Sequence, residues 1–154
     1  MLVDRAQSGF TLAELLVTVA VVGIVAMIAV PSFNSYLEDA KVTQAKTDIS
    51  NLQNRIARFA SGIVPWRFPD TLADIGGAPT DPWGNPYQYL NIENLNPKKG
   101  QLRKDKNLVP INSDYDLYSM GSDGKSVPPL TAKASRDDIV RANNGGFVGT
   151  AEDY

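Results

Sequence analysis

The main pattern along the chain is one long helix that changes character at Pro31. Residues 15–30 are apolar on every side and, together with residues 10–13, are long enough to approach a bilayer span. Beyond Pro31, apolar residues recur three and four positions apart, which predicts one apolar stripe at Val42, Ala45, Ile49, Leu52, Ile56 and Phe59. The sequence therefore predicts a helix from Phe10 to about Ala60, whose second half packs on a core of its own domain.

The remaining residues predict a small antiparallel sheet. A turn at Asp81–Gly84, where proline and glycine supply the dihedral angles, leads into a strand at Tyr87–Leu90. The alternation over Tyr115–Ser119 indicates a second strand. A short helical turn is predicted around Thr71–Ile75, with Asp70 as its cap. The fold class is α+β, with the long N-terminal helix packed on the sheet.

Two charged segments fit two interpretations each. Residues 91–113 are typical of a solvated loop but also fit a contact patch for DNA or a neighbouring subunit, through Lys98, Lys99, Arg103, Lys104 and Lys106. The tail from Ser135 to Gly145 fits a short helix, with Asp137 and Asp138 near its positive end. It also fits a calcium-binding loop beside Asp123, because calcium takes about six to eight oxygen ligands and suits glycine-containing loops.

Composition excludes several kinds of chemistry. The chain of 154 residues contains no histidine and no cysteine, which removes Ser-His and Cys-His nucleophiles, ordinary zinc or haem sites, and disulfides. A net charge of −2 gives no basic excess that would demand nucleic acid as a partner. Asp116 is expected to face solvent or a sheet edge, and nothing indicates a cleft for a paired-carboxylate hydrolase. The chain is not expected to be an enzyme.

The start of the helix carries a charge that a simple membrane anchor does not need. The block Gly9-Phe10-Thr11-Leu12-Ala13-Glu14 places a glutamate in an apolar segment. An acid at mid-membrane depth costs about 2.5–3.5 kcal/mol. The block resembles the class III leader and N-terminal segment of type IV pilins and type II secretion pseudopilins. The resemblance implies that a prepilin peptidase cleaves between Gly9 and Phe10, that Phe10 is then methylated, and that Glu14 serves assembly.

A second block resembles one group within that family. Asp-Pro-Trp-Gly-Asn-Pro-Tyr at residues 81–87 looks like the signature of the major pseudopilins of type II secretion systems. In that group, a loop after the second strand joins a later acidic pair around one calcium ion. The resemblance implies calcium ligands at Asp123, Asp137, Asp138 and the backbone carbonyl of Met120. Two segments depart from the group's pattern, because the loop at 91–113 is longer and residues 125–134 differ from the glycine-rich version.

The resemblance also implies a domain organisation and a function. It divides the chain into a leader at residues 1–9, a hydrophobic helix at 10–31 and a periplasmic globular domain at 32–154. The chain would be the repeating subunit of a type II secretion pseudopilus, a single-pass protein of the bacterial inner membrane. Its expected partners are further copies of itself, minor pseudopilins, the inner-membrane assembly platform, the prepilin peptidase and, before assembly, membrane lipid.

Two other functions stay open on the sequence alone. One is a type IV pilus subunit for adhesion or DNA uptake, and the other is a membrane-anchored calcium module that never polymerises. Glu14 favours polymerisation, because a lone anchor gains nothing from a buried acid. In an assembled filament of the resembled family, the helix around Gly23 and Pro31 is expected to unwind, whereas in lipid it is expected only to kink.

Overall fold

The computed structural model describes residues 9–62 and 67–154. Of the predicted leader at residues 1–9, all but Gly9 lies outside the described residues. The chain divides into two compact units, Met1–Asp39 and Ala40–Tyr154.

The helix α1 spans Leu12–Ala60, which confirms the long helix that the apolar pattern predicts. It contains a window of 18 residues with a mean hydropathy of 2.6, long and apolar enough to cross a membrane, and none of that window is buried. In the single chain, α1 continues through Gly23 and Pro31 without a break. Its unwinding in a packed filament stays a prediction.

Four short strands form one antiparallel sheet in the order of the sequence. They are β1 (Gln88–Asn91), β2 (Tyr115–Ser119), β3 (Ile139–Ala142) and β4 (Phe147–Thr150). Gln88 pairs with Tyr118, Ser119 with Ile139, and Ile139 in turn with Thr150. The strand β2 has the predicted bounds, and β1 begins and ends one residue later than predicted. The turn before β1 is also confirmed, because the Gly84 N–H donates to the Asp81 carbonyl at 2.9 Å.

The core lies on both faces of the sheet. On one face, the stripe of α1 is buried at Ala45, Ile49, Leu52 and Ile56, and it packs with Tyr87, Tyr115, Leu117 and Ile139. Successive side chains of a strand point to opposite faces, and the other face carries a second cluster of Ile111, Leu130, Val140, Ala142 and Ala151. The predicted stripe is therefore confirmed at its centre, whereas Phe59 at its end is 38% exposed.

The short helix expected between Ser135 and Gly145 is wrong. The structure has a 3₁₀ turn at Lys133–Ser135, and the chain then extends into β3, where every residue is buried. Asn143, Asn144 and Gly145 have positive φ values of 53°, 53° and 92°, and they form the turn into β4. Asn and Gly tolerate this conformation, which is why they favour hairpin turns over helices.

The cap predicted at Asp70 is also wrong. The 3₁₀ turn Leu72–Ile75 is closed by Asp74, whose Oδ2 accepts the Thr71 N–H at 2.8 Å and the Thr71 hydroxyl at 3.2 Å. Asp70 instead pairs with Arg67 at 2.9 Å. The turn lies where the sequence predicts it. The carboxylate that closes it belongs to Asp74, three residues after the cap residue Thr71, and not to Asp70 before it.

Candidate functional site: the N-terminal segment and the C-terminal loop

The predicted cleavage position lies ahead of α1. Gly9 and Phe10 are in irregular backbone, and 86% of the Phe10 surface is accessible. No described atom lies within 4 Å of a Cβ added at Gly9. Nothing in the described part of the chain therefore covers the bond between the two residues. Cleavage and methylation there stay predictions.

Glu14 closes the N-terminal end of α1. Its Oε2 accepts the Thr11 N–H and the Thr11 hydroxyl, each at 2.8 Å, and the Thr11 hydroxyl oxygen accepts the Glu14 N–H at 3.2 Å. This reciprocal pair is a capping box. Sequence reasoning missed it, although Thr-x-x-Glu ahead of an apolar run is its signature. Glu14 therefore has a local role in the single chain that is separate from its predicted role in assembly.

In the first part of α1, residues 12–30, Glu14 and Thr18 are the only polar side chains. Every residue from Gly9 to Ala40 is exposed, and Glu14 is the only charged residue between Phe10 and Leu37. Soluble monomers rarely expose contiguous apolar patches larger than a few hundred Å². Each Å² of such surface gains about 25 cal/mol when it leaves water. The segment can therefore pack in lipid or against other chains.

The block at residues 81–87 holds the end of β2. Asp81 is 3% exposed, and its Oδ1 accepts the N–H groups of Trp83 and Asn85 at 3.1 and 2.7 Å. Its Oδ2 accepts the Ser119 hydroxyl at 2.6 Å. The Asn85 side-chain amide donates to the Gly121 carbonyl at 3.4 Å. The block thereby fixes the position from which the loop after β2 begins.

The structure brings Asp123 and Asp137 together. The Asp137 Oδ2 accepts the Ser122 hydroxyl at 2.9 Å and the Asp123 N–H at 3.1 Å. Gly121 permits this approach, since its φ is +64° and an added Cβ would lie 2.3 Å from the Asp137 carbonyl oxygen. Two of the segments that the calcium prediction joins are therefore in contact.

Asp138 lies in a different environment from Asp137. It is fully buried, and its Oδ2 lies 2.5 Å from the Arg103 Nη2 and accepts the Ser126 hydroxyl at 2.5 Å. Burial raises the pKa of Asp138 to about 6, and the Ser126 hydrogen bond and the Arg103 charge oppose that rise. Its Oδ1 is buried with no hydrogen-bond partner among the described residues.

This arrangement fits calcium only in part. The free Oδ1 of Asp138 is a candidate ligand, and Met120 directly follows β2 at the start of the loop. Within residues 9–62 and 67–154, however, no three Asp, Glu, His or Cys side chains are grouped so that they could hold a metal ion. The ligand set of Asp123, Asp137, Asp138 and the Met120 carbonyl stays a prediction.

Two polar residues are buried where the sequence predicted exposure. Arg103, from the basic loop, is 3% exposed, whereas Lys98 and Lys106 of the same loop are exposed. Asp116 is 1% exposed, so the expectation that it faces solvent or a sheet edge is wrong. It accepts the Arg103 N–H at 3.0 Å and the Asn112 amide at 2.9 Å, and burial raises its pKa. The interpretation failed because the sheet is covered on both faces.

Comparison with known proteins shows the family of the chain. The prokaryotic N-terminal methylation motif matches residues 4–30. The type II secretion system core protein G of Pseudomonas aeruginosa is 32% identical over 143 residues, which cover 79% of this chain and 87% of that protein. The chain belongs to the family of type II secretion system core protein G, the major pseudopilins. Core protein G of Vibrio cholerae is 30% identical, over 79% of this chain and 84% of that protein.

Type IV pilins are similar over a shorter part of the chain. The type IV major pilin protein PilA of Myxococcus xanthus is 40% identical over 81 residues, which cover 53% of this chain and 35% of that protein. No solved structure matches the chain significantly. The core protein G family therefore accounts for more of this chain than the pilins do.

Proposed function

We propose that this chain is the structural subunit of a type II secretion pseudopilus, which polymerises through its N-terminal helix to drive protein export across the outer membrane. The exposed first part of α1 carries this proposal. Its apolar surface from Phe10 to Leu37 is interrupted by one charged residue, and no part of it is buried in the single chain. Such a segment is stable in lipid before assembly and against the helices of other copies after it.

Glu14 gives the polymer its register. Once its carboxylate is packed among apolar helices, it needs a positive partner, and the free ammonium of Phe10 in an adjacent, processed copy supplies one. Removing one member of a buried ion pair costs about 3–5 kcal/mol. A subunit that is shifted along the filament leaves both charges unpaired, so the pair favours one stagger between neighbours.

The remaining partners follow from this role. The prepilin peptidase would release Phe10, the inner-membrane assembly platform would add subunits, and minor pseudopilins would join the same filament. Before assembly, the subunit would be a single-pass protein of the bacterial inner membrane, with residues 32–154 in the periplasm. The function requires no chemical step on a substrate, and nucleic acid is not expected as a partner. The relatives over most of the chain are secretion-system proteins, which favours this function over an adhesive or DNA-binding pilus.

Three variants separate the two roles of Glu14. Glu14→Ala removes both the charge and the cap, Glu14→Gln keeps a capping side chain without the charge, and Thr11→Ala removes the cap's partner but keeps the charge. We expect all three to insert into the membrane, as measured by carbonate extraction. We expect Glu14→Ala and Glu14→Gln to give few sheared filaments and little secretion, and Thr11→Ala to stay close to wild type.

Two results would contradict the proposal. Normal filaments from Glu14→Ala would show that Glu14 is not the assembly residue. Normal filaments from Glu14→Gln, together with loss of filaments from Thr11→Ala, would show that only the capping box matters.

A further inference from the structure

The two segments that depart from the pseudopilin pattern meet at one side chain. Arg103 lies in the connection between β1 and β2, and it reaches the connection between β2 and β3. Its Nη1 donates to the Ser126 hydroxyl at 2.5 Å and to the Val127 carbonyl at 2.8 Å. Its Nη2 donates to the Asp138 Oδ2 at 2.5 Å. One guanidinium therefore binds both ends of the segment that leads from the loop after β2 to β3.

The position of Arg103 is fixed from several directions. Its guanidinium carbon lies 4.2 Å from the centre of the Tyr118 ring, and its backbone N–H is held by Asp116 at 3.0 Å. Next to it, the Lys104 N–H donates to the Pro128 carbonyl at 3.0 Å, and the Lys104 carbonyl accepts the Leu130 N–H at 2.9 Å. Arg103 is therefore buried in the fold, in contrast to the exposed Lys98, Lys99 and Lys106 of the same loop.

A buried carboxylate requires a positive charge or a set of hydrogen-bond donors close to it. Asp138 is one of the residues at which the resemblance implies calcium, but the positive charge that lies beside it here is the Arg103 guanidinium. A guanidinium presents its donors in a rigid planar fork, so it can fix a carboxylate and a neighbouring carbonyl together. Arg103 thus meets the electrostatic need of Asp138 with a side chain of the chain itself.

We propose that Arg103 supplies the positive charge that holds Asp138, so that the C-terminal loop closes with no metal ion at this carboxylate. The longer β1–β2 connection contains Arg103, and the 125–134 segment contains Ser126 and Val127, which accept hydrogen bonds from Arg103. The two departures from the family pattern therefore belong to one interaction. The inference concerns closure of the loop alone, and it stands whether or not the chain polymerises.

The test uses the full chain in detergent micelles. We expect the wild-type melting temperature to be the same in EDTA and in about 10 mM calcium, roughly ten times the dissociation constant of the weaker extracellular-type calcium sites. We expect Arg103→Met to lower the melting temperature by roughly 10 °C in both buffers, since it leaves Asp138 buried and unpaired. We also expect trypsin to cut this variant first at Lys125, Lys133 or Arg136, in the released loop.

Arg141→Met is the matched control. Arg141 is also 3% exposed, it stacks on Tyr115 at 3.9 Å, and it pairs with Asp114 at 2.6 Å. None of these partners belongs to the segment at 120–138. The control should lower the melting temperature without making trypsin select that segment. If Arg103→Met does not fold, Ser126→Ala serves as the milder variant, because it removes one hydrogen bond from Asp138 and one from Arg103 and should expose the same trypsin sites.

Two results would overturn the proposal. One is a wild-type melting temperature that rises with calcium and no longer does so in Asp138→Asn, because a metal would then hold this carboxylate. The other is that trypsin cuts Arg103→Met, or Ser126→Ala in its place, at the same sites as Arg141→Met. Arg103 would then not stabilise the loop specifically.

Discussion

The two halves of α1 follow the same local rules but have opposite surroundings. Between Gly9 and Ala40, every residue is exposed, whatever its chemistry. Further along the same helix, Ala45, Ile49, Leu52 and Ile56 are almost fully buried against the sheet. Residues 15–30 of the first half are apolar on all sides, and the second half is apolar on one side only. The number of apolar faces on a helix therefore indicates whether its partners lie in its own domain or in other molecules.

The charged groups show the same difference. In the unit Ala40–Tyr154, each of the buried carboxylates of Asp81, Asp116 and Asp138 has a donor from the same chain. In the first half of α1, the described residue that donates to the Glu14 carboxylate is Thr11, which carries no charge. The globular unit therefore supplies donors to its own buried carboxylates, whereas in the proposed assembly the charged partner of Glu14 comes from another copy of the chain.

The largest effect, a complete loss of filaments, is expected from Gly9→Val. This substitution should block the processing that the N-terminal segment needs before it can pack against other copies. A side chain next to the scissile bond should obstruct the prepilin peptidase, so we expect unprocessed precursor in the membrane and no filaments. The melting temperature of the globular unit should not change. Gly23→Val is the control, since an added Cβ there also meets no described atom, and it should be processed normally. Mass spectrometry of the wild type should find a methylated Phe10, and a native N-terminus at Met1 would refute the prediction.

The next effect compares one substitution in the two halves of the helix. Ile49 is fully buried and Ile24 is 62% exposed. Ile49→Ala should lower the free energy of unfolding by about 2–5 kcal/mol, because it leaves a cavity in the core. Ile24→Ala should leave the thermal unfolding of the globular unit unchanged and should weaken only membrane retention or assembly. An equal loss of unfolding free energy in both variants would show that the two halves do not differ as described.

The smallest effect separates two carboxylates near the turn Leu72–Ile75. Asp74→Ala removes the acceptor for two donors of Thr71 and should cost about 1 kcal/mol of unfolding free energy. Asp70→Ala removes only the exposed pair with Arg67 and should cost about 0–0.5 kcal/mol. A larger loss of unfolding free energy in Asp70→Ala than in Asp74→Ala, measured by thermal unfolding, would show that Asp70 is the cap.

The sequence was sufficient wherever the signal is local. The stripe of α1 repeats with the period of a helix, β2 alternates as a strand does, and the turn at Asp81–Gly84 has the residues that its dihedral angles demand. In β3, from Ile139 to Ala142, every residue is buried, so no alternation was visible. Asp137 and Asp138 precede β3, and acidic residues are also typical of the first turn of a helix, so the sequence predicted a helix there.

The ion pair between Arg103 and Asp138 could not be predicted in the same way. The two residues are 35 positions apart, and Arg103 lies in the same loop as the exposed Lys98, Lys99 and Lys106. Charge and composition did not distinguish this arginine from its neighbours. Only the chain's return from β2 brings the two side chains together. The capping box of Thr11 and Glu14, in contrast, has a local signature and could have been found.

The loop that carries Arg103 also determines where a probe can be attached to the filament. Lys106 is exposed, and it sits in a tight reversal in which Asp105 and Leu108 exchange backbone hydrogen bonds at 3.1 and 2.7 Å. The chain has no cysteine of its own. A single Lys106→Cys variant would therefore take one maleimide dye per subunit, three residues from Arg103 but on the solvent side. Fluorescence from such a chain would allow the growth of individual filaments to be followed by microscopy.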